Sequence, residues 1–596
     1  MPAASSPPSA PSVHLADFRT DRRVLLLAGL AVPVGVLGAV VAKALLWLVA
    51  VFSNLAYFHR FSPVSVPLAG HTLGWMALVV PVVGGLIIGL MARYGSEKIR
   101  GHGIPEALEA ILLGRSLIQP RVAILKPVSS AIAIGSGGPF GAEGPIIMTG
   151  GACGSLFAQR FHLSSAERKT LLVAGAAAGM AAVFSAPVAA VLLAVELLLF
   201  EWKPRSFIPV ATAAIVAFAV RRPLLGDGAV FPTLPHVQLG AADLLVALLV
   251  GTMAGLASGL LTRLVYFCED SFARLRLHWM WWPAIGGLAV GVGGLIDPRV
   301  LGIGSESIHG LLRGELPPGT LPSLLIAKAL VWGIALGSGT SGGVLAPLLM
   351  IGGALGALVG GATGVADTGL WAMVGMAAMM GGTMRAPLTG MVFLLELTHD
   401  FTAMPALLVG SVAALCVTVL LLRRSILTEK LARRGQHIAR EYSVDVFELM
   451  RVADVMERTP PVVPAHTTVA ELAARLAEPG SPLARRQATL IEDGGRFAGI
   501  ITRGDLLRAQ EEDDGSHLTV LEAGSAEPIT AFPDETLHDA MTRMLQHGIS
   551  RLPVVHRDNP SRIAGYLGRA EILSARLRRH EEEEQRERNP TLARTS

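Results

Sequence analysis

From about Val24 to Leu422 the chain is predominantly apolar for almost four hundred residues. Segments such as Val24–Phe52 and Leu244–Leu261 are long enough to cross a bilayer as helices. Others are short and interrupted by Gly and Pro, the mark of broken and re-entrant helices whose freed backbone lines a site. The expectation is a polytopic all-α membrane protein in a lipid bilayer. Composition agrees, with 52% hydrophobic residues, 16% charged residues and 66 glycines in 596. A net charge of +4 gives no reason to expect a nucleic-acid partner. The three cysteines, Cys153, Cys268 and Cys416, lie in or beside apolar segments and read as small buried hydrophobes.

Two halves of the apolar region repeat each other. Lys126 precedes Pro145 by 19 residues, and Lys328 precedes Pro347 by 19. Gly135-Ser136-Gly137 leads into the first break and Gly337-Ser338-Gly339 into the second. Pro187 is followed nine residues later by Glu196, and Pro387 nine residues later by Glu396. Gly101-His102-Gly103-Ile104 is echoed by Gly302-Ile303-Gly304-Ser305. Four landmarks in one order imply a duplicated membrane unit, an arrangement common in transporters, where the copies are often inverted.

One carboxylate stands out. Glu143, in Gly141-Ala142-Glu143-Gly144-Pro145, lies where a helix begins inside the apolar run. A carboxylate at membrane depth is costly and usually functional. The matching break, Gly342-Gly343-Val344-Leu345-Ala346-Pro347, has none. Gly-rich turns expose backbone N–H groups, and helices starting inside the membrane aim partial positive charge inward, so the pattern suits an anion.

The flanks differ. Residues 1–20 read as a disordered tail, since Met1 to about Pro11 is rich in Ala, Ser and Pro without a signal-peptide pattern. Arg19, Arg22 and Arg23 precede the first apolar segment, and Arg423, Arg424, Lys430, Arg433 and Arg434 follow the last, so both termini read as cytoplasmic. From about Arg451 the composition is mixed, with two units of roughly sixty residues. The first opens at Val452–Met456, has a helix near Val469–Leu476 and closes at Gly499–Asp505. The second has a helix near Leu537–Leu545, a strand Leu552–Val555 and a closing Gly565–Glu571. Residues 579–596 form a charged tail.

Gly101–Pro105, Gly141–Pro145, Gly343–Pro347 and the two Ala-Pro…Glu segments together resemble the CLC family of chloride channels and proton-coupled anion exchangers. The tail resembles a tandem CBS pair of α+β fold. The resemblance covers about residues 20–578. It implies a membrane domain over 21–437, with inverted repeats at about 21–222 and 240–437. It also implies CBS domains within 438–578, at about 451–510 and 524–578. A homodimer with one chloride pathway per subunit, in the cell inner membrane, would follow. No cofactor is required, and the protein is not expected to be an enzyme or to hold a metal.

The same resemblance assigns residues. Glu143 matches the gating glutamate, which competes with a halide for the same N–H donors. The anion would be held by Gly101, His102, Gly103, Ile104 and Pro105, by Gly141, Ala142, Gly144 and Pro145, and by Gly343, Val344, Leu345 and Ala346. Lys126 would add a positive potential or serve structurally. Three departures stand out. His102 replaces a serine, Leu427 replaces a tyrosine, and Leu197 stands where many exchangers have an inner glutamate. A protonated His102 would make conduction pH-sensitive. Leucine cannot relay a proton, which favours a channel or uncoupled pathway; the alternative is an exchanger with another proton route. Glu196 and Glu396 read as structural caps. In the tail, Thr502 and Asp505 match positions that contact ATP or AMP, whereas Gly568 and Glu571 replace the second pair. Two rivals also carry CBS pairs. A magnesium channel wants carboxylate rings, and a metalloprotease wants His-Glu-x-x-His. The membrane region is poor in acids and the sequence lacks that motif.

Overall fold

The computed structural model describes residues 23–112, 116–233, 239–364, 367–433, 447, 450–478, 480–483, 487–511, 517–575 and 577. The two expected terminal tails, 1–20 and 579–596, lie outside the described residues, as does Arg434. The chain divides into two compact units, one ending at Tyr442 and the other running Ser443–Pro590.

The membrane unit is helical. Its first half contains α1 (Arg23–Phe58), α2 (Val79–Tyr94), α3 (Ile104–Leu112), α4 (Pro120–Gly135), α5 (Glu143–Ala158), α6 (Ser165–Phe184), α7 (Pro187–Leu193) and α8 (Pro204–Leu225). The second contains α9 (Ala241–Ala273), α10 (Trp282–Ile296), α11 (Ser305–Leu312), α12 (Leu321–Gly337), α13 (Leu345–Ala362), α14 (Thr368–Met384), α15 (Pro387–Thr398) and α16 (Met404–Leu421); α17 (Ile426–Arg433) follows. Among the described residues, eight helices are long and apolar enough to cross a membrane. The segments Val24–Phe52 and Leu244–Leu261 extend into the longer α1 and α9. Cys268 is buried, Cys153 half-buried and Cys416 exposed on α16, so only Cys268 is the fully buried hydrophobe expected of all three.

The duplication is visible in the contacts. Glu196 caps the start of α15, accepting from Thr389 N (2.9 Å) and Leu388 N (3.3 Å). Glu396 returns the exchange, accepting from Ala189 N (2.8 Å) and Val188 N (3.0 Å) at the start of α7. Each carboxylate satisfies orphan N–H groups of the other half's helix, as the structural-cap reading anticipated. Helices α6 and α14 end at Ser185 and Arg385, both left-handed with φ of 57°. Gly150 of α5 packs on Gly175 of α6 with no room for a side chain, and Gly352 of α13 packs on Gly375 of α14 in the same way. The halves part at residues 194–199, where α7 continues as a π-helical turn while α15 stays α-helical over the matching stretch.

The tail unit holds two sheets. β1 (Val462–Pro464) runs parallel to β2 (Ala488–Asp493), which pairs antiparallel with β3 (Arg496–Thr502). β4 (Arg551–His556) pairs antiparallel with β5 (Asn559–Gly568), and Ala531 bridges to Val554 in parallel. The opening segments are exchanged. Glu457 and Tyr566 trade both N–H···O bonds at 2.9 Å, and Ile500 and Ser525 trade theirs at 3.0 and 2.9 Å. Val452 and Val455 bury with Leu537, Val554 and Leu567, while Val520 buries with Val463, Ile491 and Ile501. Val452–Met456 therefore opens the first unit in sequence but packs on the second.

Candidate functional site

Two helix starts meet where the halves join. Gly141 and Gly343 occupy equivalent positions and form a two-residue antiparallel bridge, with Gly141 N to Gly343 O at 3.3 Å and the reverse at 3.0 Å. Reciprocal bonds between equivalent residues place a local two-fold axis between them. α5 begins two residues after Gly141 and α13 two residues after Gly343, so both N-termini open beside this bridge. Each presents unsatisfied N–H groups and the positive end of a helix dipole.

Glu143 lies at that junction. Its side chain is buried, at 1% exposure. The carboxylate bends back between Gly141 and Gly343, where any side chain would collide with it. Oε1 accepts a hydrogen bond from Leu345 N, in the opposite half. The N–H groups of Ala346 and of Glu143 itself also face the carboxylate. Oε2 has no hydrogen-bond partner among the described residues. A buried carboxylate with one oxygen unpaired carries a desolvation penalty. It gains by leaving the junction or by accepting a proton. The equivalent position in the second half is Leu345, whose backbone, not its side chain, serves the junction.

The loop 101–103 packs against the start of α5. Gly101 (φ +83°) and Gly103 (φ +92°) take left-handed conformations that side chains resist, as do their counterparts Gly302 (+62°) and Gly304 (+76°). Gly103 lies on the backbone of Gly144, and the carbonyl of His102 on Gly144 Cα, so no Cβ fits at either glycine. Gly101 also bonds the second half, donating to Gly339 O and accepting from Gly342 N, both at 3.4 Å. Ile104 is buried in the first turn of α3, which continues through Pro105. Val344 is the residue before α13, and Ala142 the residue before α5. Leu427 is fully buried in the first turn of α17, which packs on α3.

Lys126 is buried and points inward, not toward a water interface. Its Nζ donates to the carbonyls of Ile99 (2.8 Å) and Gly101 (2.7 Å). Lys328 does the same for Val300 (2.8 Å) and Gly302 (3.1 Å). The paired lysines tie the glycine loops to α4 and α12.

His102 does not point into open water. It is 4% exposed, its Nδ1 has no hydrogen-bond partner among the described residues, and it lines a cavity of about 610 Å3. Lys430, Glu106, Arg100 and Tyr266 share the lining. Glu106 accepts from Gly103 N (2.8 Å) and from Lys430 Nζ (3.0 Å). Tyr266 O–H donates to Ile426 O (2.5 Å), pinning α17 to α9. Sequence spacing missed these partners. The only local signal was Glu106 three residues after Gly103, a helix-capping interval. Three buried hydroxyls also join the halves: Ser341 Oγ of the second lies 2.8 Å from Ser130 Oγ and 3.2 Å from Ser129 Oγ of the first.

In the tail, Thr502 and Asp505 cap the helix Arg503–Glu511 together. Asp505 Oδ2 accepts from Thr502 Oγ1 (2.7 Å) and Thr502 N (2.9 Å). In the second unit Glu571 caps alone, accepting from Gly568 N (3.0 Å).

The family model described as voltage gated chloride channel matches residues 84–419, and the CBS domain model matches 452–512 and 522–578. A putative chloride channel protein ClcB-like from Ralstonia nicotianae is 32% identical over 351 residues, which cover 57% of this chain and 81% of that protein. The voltage-gated ClC-type chloride channel ClcB of Escherichia coli is 31% identical over 371 residues, covering 61% and 88%. A slow cyanobacterial Cl−/H+ antiporter of known structure superposes with a TM-score of 0.61 at 24% identity, covering 70% of this chain and 98% of that one. A eukaryotic CLC transporter also gives 0.61, at 20% identity, covering 92% and 98%. With more than half of its length matched by that family model, the chain belongs to the voltage gated chloride channel (CLC) family of anion transport proteins and carries a C-terminal pair of CBS domains.

Proposed function

We propose that the protein conducts chloride through the junction of α5 and α13, that Glu143 gates it, and that the flux is not coupled to protons. The observation that carries the gate is the hydrogen bond from Leu345 N to Glu143 Oε1. A carboxylate there takes a donor that a chloride ion would need, so the two exclude each other. Gly101–Pro105, Gly141–Pro145 and Gly343–Ala346 supply backbone around this path, and His102 and Leu427 stand toward its inner end.

The absence of coupling is supported by Leu197, a fully buried aliphatic side chain in the π-helical turn. The relatives from Ralstonia and Escherichia are named as chloride channels. Two neighbours in structure are named as proton antiporters, and at their low identity they speak for the fold alone. The test is one vesicle assay that reads chloride efflux and internal pH together. Chloride efflux without proton uptake is expected. Uphill proton movement at a fixed ratio to chloride would establish the exchanger instead.

The same reading makes the protein a homodimer in the cell inner membrane, with both termini cytoplasmic. Thr502 and Asp505 are the proposed contacts for ATP or AMP. Calorimetry with full-length protein, comparing wild type and Asp505→Ala, tests that assignment; equal heats from both would remove it.

A further inference from the structure

We propose that the rim formed by the ends of α2 and α9 and the start of α10 binds headgroups of anionic phospholipids. Helices α2 and α10 pack closely, since Gly85 lies on the Pro283 backbone and Gly287 on that of Pro81. Their outer faces form a continuous apolar wall. On α2 the exposed residues Val83, Ile87 and Leu90 recur at helical spacing, and on α10 Leu288, Val292 and Leu295 do the same. Nothing in a soluble setting rewards such a wall, so it faces lipid tails.

The wall ends in a different chemistry. Beyond Leu90 the stripe reaches Tyr94, which is 80% exposed, and Trp281, the residue before α10, is also exposed. Aromatic side chains of this kind settle at headgroup depth. Cations from two loops meet there. Arg93 Nη1 lies 3.2 Å from His278 Nε2, which joins the 93–100 loop to the 274–282 loop. Arg100 stacks on Trp279 at 4.5 Å and on Trp282 at 5.6 Å. Lys98, Arg274 and Arg276 are exposed and have no ion pair among the described residues.

The nearby carboxylates do not cancel this charge. Glu97 pairs with Arg100 at 3.2 Å, and Asp270 is held by Arg433. Glu106 is held by Lys430, and Glu109 and Glu269 line the same cavity as Lys98 and Arg100. Basic loops beside a membrane helix also set topology without binding a particular lipid. Here, however, the unpaired cations are gathered by contacts between two loops, at the foot of an apolar wall and beside aromatic anchors. A phosphodiester whose acyl chains lie on α2 and α10 meets all three features at once; a free phosphate meets only the cations. Arg100 and Lys98 also line the cavity beside His102, so an occupied rim borders the inner mouth of the pathway.

The test uses full-length protein in detergent, offered phosphatidylglycerol and phosphatidylcholine in equal amounts and read by native mass spectrometry. Wild type is expected to retain phosphatidylglycerol preferentially. Arg274→Gln with Arg276→Gln should weaken that retention about thirtyfold, two cations at about 1 kcal/mol each. Arg93→Gln with Lys98→Gln removes charge from the other loop and should act in the same direction, which keeps the test decisive if the first variant does not fold. Millimolar glycerol phosphate should not displace the lipid. Equal retention of the two lipids, wild-type retention in a folded variant, or displacement by glycerol phosphate would each overturn the proposal.

Discussion

Helices α5 and α13 begin in the same way, but one starts with a carboxylate and the other with a leucine. Both follow a glycine of the Gly141–Gly343 bridge, and both are packed on the next helix through a glycine pair. The loops before them are tied by equivalent buried lysines. Only α5 has a carboxylate, and it is spent on a backbone donor of α13. The symmetric parts build a place where N–H groups converge. In the proposed function this asymmetry, Glu143 against Leu345, is the gate of a place that the duplicated scaffold builds.

The sharpest way to break that division is to make the second half match the first. Leu345→Glu would set a second carboxylate against Glu143 at the same junction. Two like charges at close range in a poorly solvated site repel each other and any anion. Chloride efflux from vesicles should fall by about a hundredfold, the counterpart of about 3 kcal/mol in a barrier. Efflux at the wild-type rate would mean that the junction is not on the path.

The lysines test the symmetric side. Lys126→Met and Lys328→Met each strand two buried carbonyls, a loss of about 3 kcal/mol each. Thermal unfolding in detergent should show similar destabilisation for both. Strongly unequal effects would show that the two loops are not equivalent in what they hold. The crossed caps come next. Glu196→Ala and Glu396→Ala should each cost about 1–2 kcal/mol, the range for a lost helix cap, with Glu196→Ala the larger because its carboxylate also accepts from Thr389 Oγ1 at 2.6 Å. Smallest is Ser341→Ala, which removes hydroxyl contacts to Ser129 and Ser130 across the halves. About 1 kcal/mol of stability is expected.

How much of this was legible in sequence depends on the distance a contact spans. The repeat was legible because Lys126 and Lys328, or Glu196 and Glu396, keep a constant spacing to a proline, and spacing survives in a linear text. Glu143 was legible because an acid in an apolar run is rare. The capping role of Glu196 was legible, but not its partner, since Thr389 in the opposite half is reached only after both halves fold. Lys430 was visible as a flanking charge, and its pairing with Glu106 across the fold was not. The exchanged openings of the tail units escaped for the same reason: residues adjacent in sequence were read together, whereas Val452 buries with Leu537 and Val554. The π-helical turn at 194–199 leaves no mark either, because Leu197 and Leu397 are the same residue in two different backbones.

The most direct test of the gate is the pH profile of chloride efflux for wild type and Glu143→Gln in the same vesicles. Protonation removes the charge with which Glu143 competes for the Leu345 donor, so wild-type efflux should rise as pH falls. Glutamine carries no charge at any pH, so the variant should be fast throughout and nearly flat. A variant whose rate and pH profile both match wild type would show that Glu143 is not the gate.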